Sequence, residues 1–221
     1  MNPHTEKQNV KKGIGLAIVL LLLGSVAIAS ALSRLADMQQ AIATGVVSTN
    51  TNDAVYIQHL ALSLLHLIPG TLFLMLGPMQ FMPGLRARRP ALHRWSGRLF
   101  VVSGFTVAIS AIIINIIFPP VGGWFKSASV YIFSSLMIFA LGMGFRAILR
   151  REIDRHREWM IRAFAIGLGV STMRLYFIPA YLLYGMPDNF TIGLGMWIGF
   201  GVNLLVAEWI IWRMKQQRRL A

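Results

Sequence analysis

Six long apolar runs alternate with short polar segments along the chain. They cover Gly13–Leu35, Ile57–Phe81, Trp95–Phe118, Ser129–Leu149, Trp159–Tyr184 and Leu194–Trp212. At ~1.5 Å of rise per residue, each is long enough to cross a hydrocarbon core of ~30 Å. The pattern predicts an all-α fold, a polytopic membrane bundle of six transmembrane helices in one domain over residues 13–212. Residues 1–12 and 213–221 flank it as polar tails. The longest polar stretch is Ala36–Tyr56, with "STNTND" as its loop signal, and is expected outside the membrane.

The first run starts on lysines and ends in "AIASALS", which looks like a signal-peptide cleavage region. Its apolar core, Gly13–Leu32, exceeds the usual ~7–15 residues of such a signal, so it reads as an uncleaved first helix.

Composition agrees with the spans. The chain is 56% hydrophobic and 13% charged, against about 25% charged in soluble domains. The net charge of +13 would suggest nucleic acid in a soluble protein, but 18 of the 21 basic residues fall on one side of the predicted bundle. They lie in the N-terminal tail, between spans two and three, between spans four and five, and at the C-terminus. That asymmetry predicts that both termini and both basic loops face the cytoplasm, with anionic lipid headgroups as partners and no nucleic acid. Trp95, Trp159 and Trp212 at that side, and Trp124 and Trp197 at the other, fit interfacial belts.

The chain has no cysteine. Disulfides, thiol catalysis, cysteine-held iron–sulfur clusters and covalent C-x-x-C-H haem are excluded. No Walker loop, H-E-x-x-H or nucleophile elbow is present.

Ionisable groups inside spans are costly and are therefore the first site candidates. Span two carries His59 and His66 on one stripe with Ser63, Gly70, Gly77 and Gln80, by seven-residue recurrence. This stripe either packs helices or frames a ligand site. Arg174 lies ~8 Å below the outer surface of span five. It cannot deprotonate and needs an acceptor. The carboxylates expected on that side, Asp37, Asp53 and Asp188, all read as loop residues, so a ligand anion is one candidate partner. Pro69 and Pro179 should kink spans two and five beside His66 and Arg174. These positions make His59, His66 and Arg174 a candidate ligand site. Glu208 is expected in an ion cluster with Arg98, Arg146 and Arg162 at cytoplasmic helix ends. Gly195 and Gly199 in span six suit close helix packing.

"LHRWSGR" opens span three and "RHREWMIR" opens span five. His93 and His156 thus stand at matching mouths. They are either interfacial histidines or an axial pair across a haem held on facing helices.

The stretch "HLIPGTLFLMLGPMQFMPGLRARRPALHRWSGRLFVVSG", with "HREWMIRAFAI" and "MRLYF", resembles a bacterial multi-span family catalogued as domain of unknown function 2306. The resemblance runs from Ile57 to Glu208 and implies a multi-pass protein of the bacterial inner (plasma) membrane, with no particular activity. The matching signature positions are His66, Gln80, Arg86, His93, Arg94, Gly97, His156, Arg157 and Arg174. The "Q…P…LHR…G" arrangement is also similar to b-type transmembrane cytochromes, which hold two haems by paired histidines on four successive spans. Here span four offers only Met137 and Met143, so the resemblance implies at most one haem b, on His93 and His156, with Arg174 neutralising a propionate. His66 would need another partner. Three functions follow as expectations: a haem-bearing redox protein, a transporter or binder of a small anion or lipid, and an assembly partner without a site of its own.

Overall fold

The structure, a computed structural model, describes residues 3–45, 51–118, 122–185 and 188–220, with backbone alone at 3–12 and 51–53. The described residues form eight helices: α1 (Pro3–Thr44), α2 (Thr51–Gln58), α3 (Leu60–Gln80), α4 (Pro83–Arg88), α5 (Pro90–Ile117), α6 (Gly123–Leu149), α7 (Ile153–Tyr184) and α8 (Asn189–Arg219). Six of them, all but α2 and α4, are long and apolar enough to cross a membrane. The all-α, six-span architecture is therefore as the hydropathy pattern predicts.

The helices outrun the apolar segments that mark them. α1 continues through Ala36–Thr44, which was expected to be loop, because Met, Gln and Ala sustain a helix well without being apolar enough to read as a span. It stops at Gly45, whose φ of +68° is left-handed. α5, α7 and α8 likewise run on into their basic flanks. The first half of "STNTND" lies outside the described residues, while its last three begin α2.

The second span is not one helix. His59 takes φ −111°, ψ 48° and separates α2 from α3. The Ser63 hydroxyl bridges the break by donating to the Tyr56 carbonyl at 2.9 Å. Pro83 and Pro90 occupy the first turns of α4 and α5, where a missing N–H costs nothing. They turn the expected basic loop into a short helix and a corner. Pro69 and Pro179 lie within α3 and α7.

Four helices form a ring in the order α3, α5, α6, α7, with α3 closing back on α7. α1 packs outside α3 and α7, and α8 lies along α6 and α7. Phe73 of α3 fills the centre, stacked on Phe100 of α5 with ring centroids 4.4 Å apart. Phe164 of α7 sits 5.8 Å from Phe73. A Cβ on Gly104 would come within 2.8 Å of the Phe73 ring, and one on Gly167 would collide with it. Gly77 plays the same part for Phe164. Gly195 packs under Phe177 and Tyr176, and Gly199 against the Gly169 carbonyl, so the span-six glycines serve helix contact.

Gly13 of α1 and Arg218 of α8 mark one end of the bundle. Gly13 packs on Pro83, and Arg218 of α8 pairs with Asp154 at the start of α7. This basic end also carries α4 and the α6–α7 turn. In that turn Glu152 N–H donates to the Ala147 carbonyl at 2.9 Å and Arg151 N–H to that of Ile148 at 3.0 Å. This pairing is a Schellman motif, and it forces Arg151 to φ 60°. A left-handed L-residue costs ~1–2 kcal/mol. Glycine removes that strain and returns ~0.5–1 kcal/mol in chain entropy. Arg151→Gly should therefore stabilise the detergent-solubilised protein by about 0.5–1 kcal/mol, read as a raised denaturation midpoint. An unchanged or lowered midpoint would show that the turn is not strained.

Candidate functional site

In the half of the bundle away from the basic end, a cavity of about 140 Å³ opens between α1, α3, α5, α6 and α7. His66 and Arg174 both line it, from α3 and α7. The rest of the wall is mostly apolar or small, including Ala27, Gly70, Val107 and Gly167. Gly70 is needed for its width, since a Cβ there would stand 3.2 Å from Val107. Two of the three ligand-site residues expected from the sequence thus meet. His59 does not join them. It sits at the helix break, its ring tilted against Phe118 with centroids 5.7 Å apart. The seven-residue recurrence that aligned it with His66 fails because the helix is interrupted at His59 itself.

The Ser110 hydroxyl donates to the Val107 carbonyl at 3.1 Å, and its oxygen lies 3.0 Å from His66 Nδ1. The Val107 backbone is also a hydrogen-bonding neighbour of the His66 ring. A neutral imidazole offers one donor and one acceptor nitrogen. Arg174 uses one Nη1–H on the Val170 carbonyl at 2.8 Å. No carboxylate among the described residues pairs with it. Asp188 is committed elsewhere: it caps α8 by accepting from the Thr191 amide at 2.7 Å, and the Thr191 side chain, then its amide, hold its carboxyl below the usual carboxylate range. The Asp53 side chain lies outside the described residues. The guanidinium and the imidazole are electrostatic neighbours. Chemically, the cavity offers a fixed cation, a neutral acceptor and an apolar wall.

His93 and His156 lie near each other at the basic end, beside Arg86 and Arg94. His156 Nδ1–H donates to the Gly144 carbonyl at 2.9 Å, whereas His93 Nδ1 is buried without a hydrogen-bond partner among the described residues. Gln80 ties α3 to α5 here, donating to Ser96 Oγ at 2.8 Å. Gly97 admits it, because a Cβ there would stand 3.0 Å from Gln80 Oε1. Directly inward, the Phe100 and Phe164 rings close the bundle axis with centroids 6.2 Å apart. A haem between these histidines needs a planar slot between α5 and α7, and aromatic rings fill that direction. The cavity at His66 is no better suited. An apolar cavity of about 150 Å³ takes a benzene ring, far less than a porphyrin. The residues present do not fit a haem.

The expected ion cluster is smaller than the sequence suggests. Arg162 grips Glu208 through Nε and, at 2.9 Å, Nη2. Arg98 instead lies over the Trp95 ring, 4.8 Å from its centroid. Arg146 lines a surface recess with Arg150, Glu152 and Glu158. Sequence reasoning missed a second cluster. Glu158, only 8% exposed, pairs with Lys215 at 3.1 Å and with Arg218 at 3.5 Å. Arg218 also meets Asp154 at 2.9 Å. The four-residue spacing of Asp154 and Glu158, against the three-residue spacing of Lys215 and Arg218, was the available signal.

Fold and site together define a polytopic helical membrane protein with a cationic cavity between its helices. Its family follows from comparison with known proteins. The family model "Predicted membrane protein (DUF2306)" matches residues 63–211, and the chain belongs to that family. The match takes in His66, His93, His156, Arg174 and Glu208 and leaves out His59. No curated protein and no solved structure matches the chain.

The Glu158 pairs hold the tail of α8 to α7. Lys215 and Arg218 remain partly exposed, at 49% and 34% of their side chains, so each pair is worth at most ~1 kcal/mol after solvent screening. Glu158→Gln should speed tryptic cleavage after Lys215 and Arg218 by about threefold to tenfold, through more frequent opening. Mass spectrometry of the fragments checks this. Unchanged cleavage would mean that the tail is held by apolar contacts instead.

Proposed function

We propose that this protein binds a small organic monoanion in the cavity between His66 and Arg174, as a membrane-embedded binder or transporter. The single observation behind this reading is Arg174. It is a guanidinium on a cavity wall inside a transmembrane helix, and no carboxylate among the described residues pairs with it. An arginine at the bilayer centre costs ~2.5–3.5 kcal/mol, and one nearer the surface costs less; a bound carboxylate offsets that cost through a bidentate pair. The apolar wall and the volume, close to that of a cavity holding one benzene ring, favour an aromatic or similarly compact acid. The His66 imidazole on the same wall, with one donor and one acceptor nitrogen, favours a hydroxyl on the same molecule.

The excess of arginine at the basic end supports a cytoplasmic orientation for that end, in the inner membrane of a bacterium. The cavity then lies in the outer half of the bilayer. The electron-transfer reading draws less support, since neither histidine site offers room for a haem. An assembly role without a site leaves the cost of Arg174 unexplained.

The test uses protein purified in neutral detergent, with thermal midpoint as the readout. Benzoate and 4-hydroxybenzoate should raise the midpoint, and benzyl alcohol at equal concentration should not. Arg174→Gln should remove the shift for both acids. His66→Leu should keep the benzoate shift while erasing the preference for the hydroxylated acid. Since a charge-assisted pair contributes about 1.5–3 kcal/mol, Arg174→Gln should weaken binding roughly tenfold to hundredfold. Equal stabilisation of wild type and Arg174→Gln by benzoate, or none of either, would reject the proposal.

A further inference from the structure

A recess of about 430 Å³ opens at the basic end between α6, α7 and the tail of α8, and the proposed function does not use it. Its five cations are Arg146 and Arg150 at the end of α6, Arg155 and Arg162 of α7, and Lys215 of α8. Two carboxylates, Glu152 and Glu158, share the wall. Glu152 pairs with Arg155 at 3.1 Å, and Glu158 with Lys215 at 3.1 Å. Arg162 is held by Glu208 from outside the recess. Among the described residues no carboxylate pairs with Arg146 or Arg150. The recess therefore keeps two guanidiniums whose charge nothing on its wall matches.

Topology signalling accounts for arginines at this end, but not for these two sharing a recess. They stand four residues apart, so their side chains leave α6 on the same face. The dipole at a helix C-terminus favours a cation there. A second cation one turn away adds repulsion, which an anion between the two would remove. The floor below them is apolar, with Met143 and Trp159. The Trp159 ring is fixed on both sides. The Arg162 guanidinium lies 4.6 Å from its centroid, and Phe139 meets it edge-on with centroids 5.5 Å apart. Phe139 is 56% exposed within the membrane-spanning part of α6. Apolar surface thus leads from the recess along α6 toward the hydrocarbon.

We propose that this recess holds the headgroup of an anionic phospholipid, with Arg146 and Arg150 gripping the phosphate and an acyl chain following Trp159 and Phe139 into the bilayer. Guanidinium forks match phosphate oxygens, and basic pockets between helices near the headgroup level suit such lipids. A tryptophan on the floor places the recess at that level. A soluble phosphate would leave the apolar floor without a role. A zwitterionic lipid would bring its own ammonium against the cations of the wall. Both differences select an anionic lipid.

The test uses the full-length protein in neutral detergent and reads the thermal midpoint as lipid is added. Phosphatidylglycerol should raise the midpoint saturably, whereas phosphatidylcholine at the same mole fraction and inorganic phosphate should not. An equal rise with phosphatidylcholine would mean that acyl chains alone bind, and an equal rise with inorganic phosphate that the site takes a free ion. Either result overturns the lipid site, as does no rise with phosphatidylglycerol. Arg146→Gln/Arg150→Gln should weaken phosphatidylglycerol binding by about fivefold for each guanidinium removed. If that double variant does not purify, each single variant carries the same test at about fivefold. Arg89→Gln/Arg94→Gln removes equal charge from exposed positions at the same end but outside the recess, and should change binding by less than about twofold. Equal losses in the two doubles would mean diffuse attraction to the basic end and would also overturn the site. Benzoate binding at Arg174 is a separate readout on the same protein, so either reading can fail alone.

Discussion

The bundle depends on one wedge, Phe73 held between two glycines. Inside a bilayer, helices gain nothing from leaving lipid for one another, because both are apolar, so close packing has to hold them. Phe73 enters from α3 and meets Gly104 on α5 and Gly167 on α7, where a Cβ would collide with its ring or nearly so. Its stack on Phe100 and contact with Phe164 bring three helices onto one point. The same layer seals the middle of the bundle. Polar groups must then gather on either side of it, His66 and Arg174 on one, His93, His156 and Gln80 on the other. Two separate polar regions follow from one aromatic plug.

Much of this was legible in the chain, for a simple physical reason. Hydropathy reports what lipid demands of a helix surface, and six such demands were written in Gly13–Leu35 through Leu194–Trp212. It does not report where hydrogen bonding stops, which is why α1 runs to Thr44 and α8 to Arg219. The pairing of His66 with Arg174 was also approachable, since each is too polar for hydrocarbon and both were placed in the same half. His59 was misjudged because a local break at φ −111°, ψ 48° leaves no mark in composition. The aromatic plug was invisible for a related reason. Phe73, Phe100 and Phe164 look like any lipid-facing phenylalanines until the ring order of the helices is known. A bis-histidine pair at two span mouths is attractive in one dimension. In three, those phenylalanines occupy the slot that it requires.

The distribution of carboxylates sharpens the role of the remaining cations. The chain has 8 acidic residues against 21 basic ones. Glu152 meets Arg155, Asp154 meets Arg218, Glu158 meets Lys215 and Arg218, and Glu208 meets Arg162. Asp188 caps α8 through the Thr191 amide. Glu152, Asp154, Glu158 and Glu208 are thus taken by α7, α8 and their turn, where they fix helix tails. None of these reaches α4 or the mouth of α5, and none reaches Arg174. Exposed guanidiniums tolerate that shortage because water solvates them. A guanidinium on the wall of an intramembrane cavity does not have that option to the same degree. Arg174 differs from the surface arginines in this respect and not in its chemistry. Among the described residues its hydrogen bond goes to the Val170 carbonyl, a dipole rather than a charge. Stability alone would favour a neutral side chain at that position. Position more than residue type therefore makes Arg174 gain more than the arginines on the surface from an anion arriving from outside the chain.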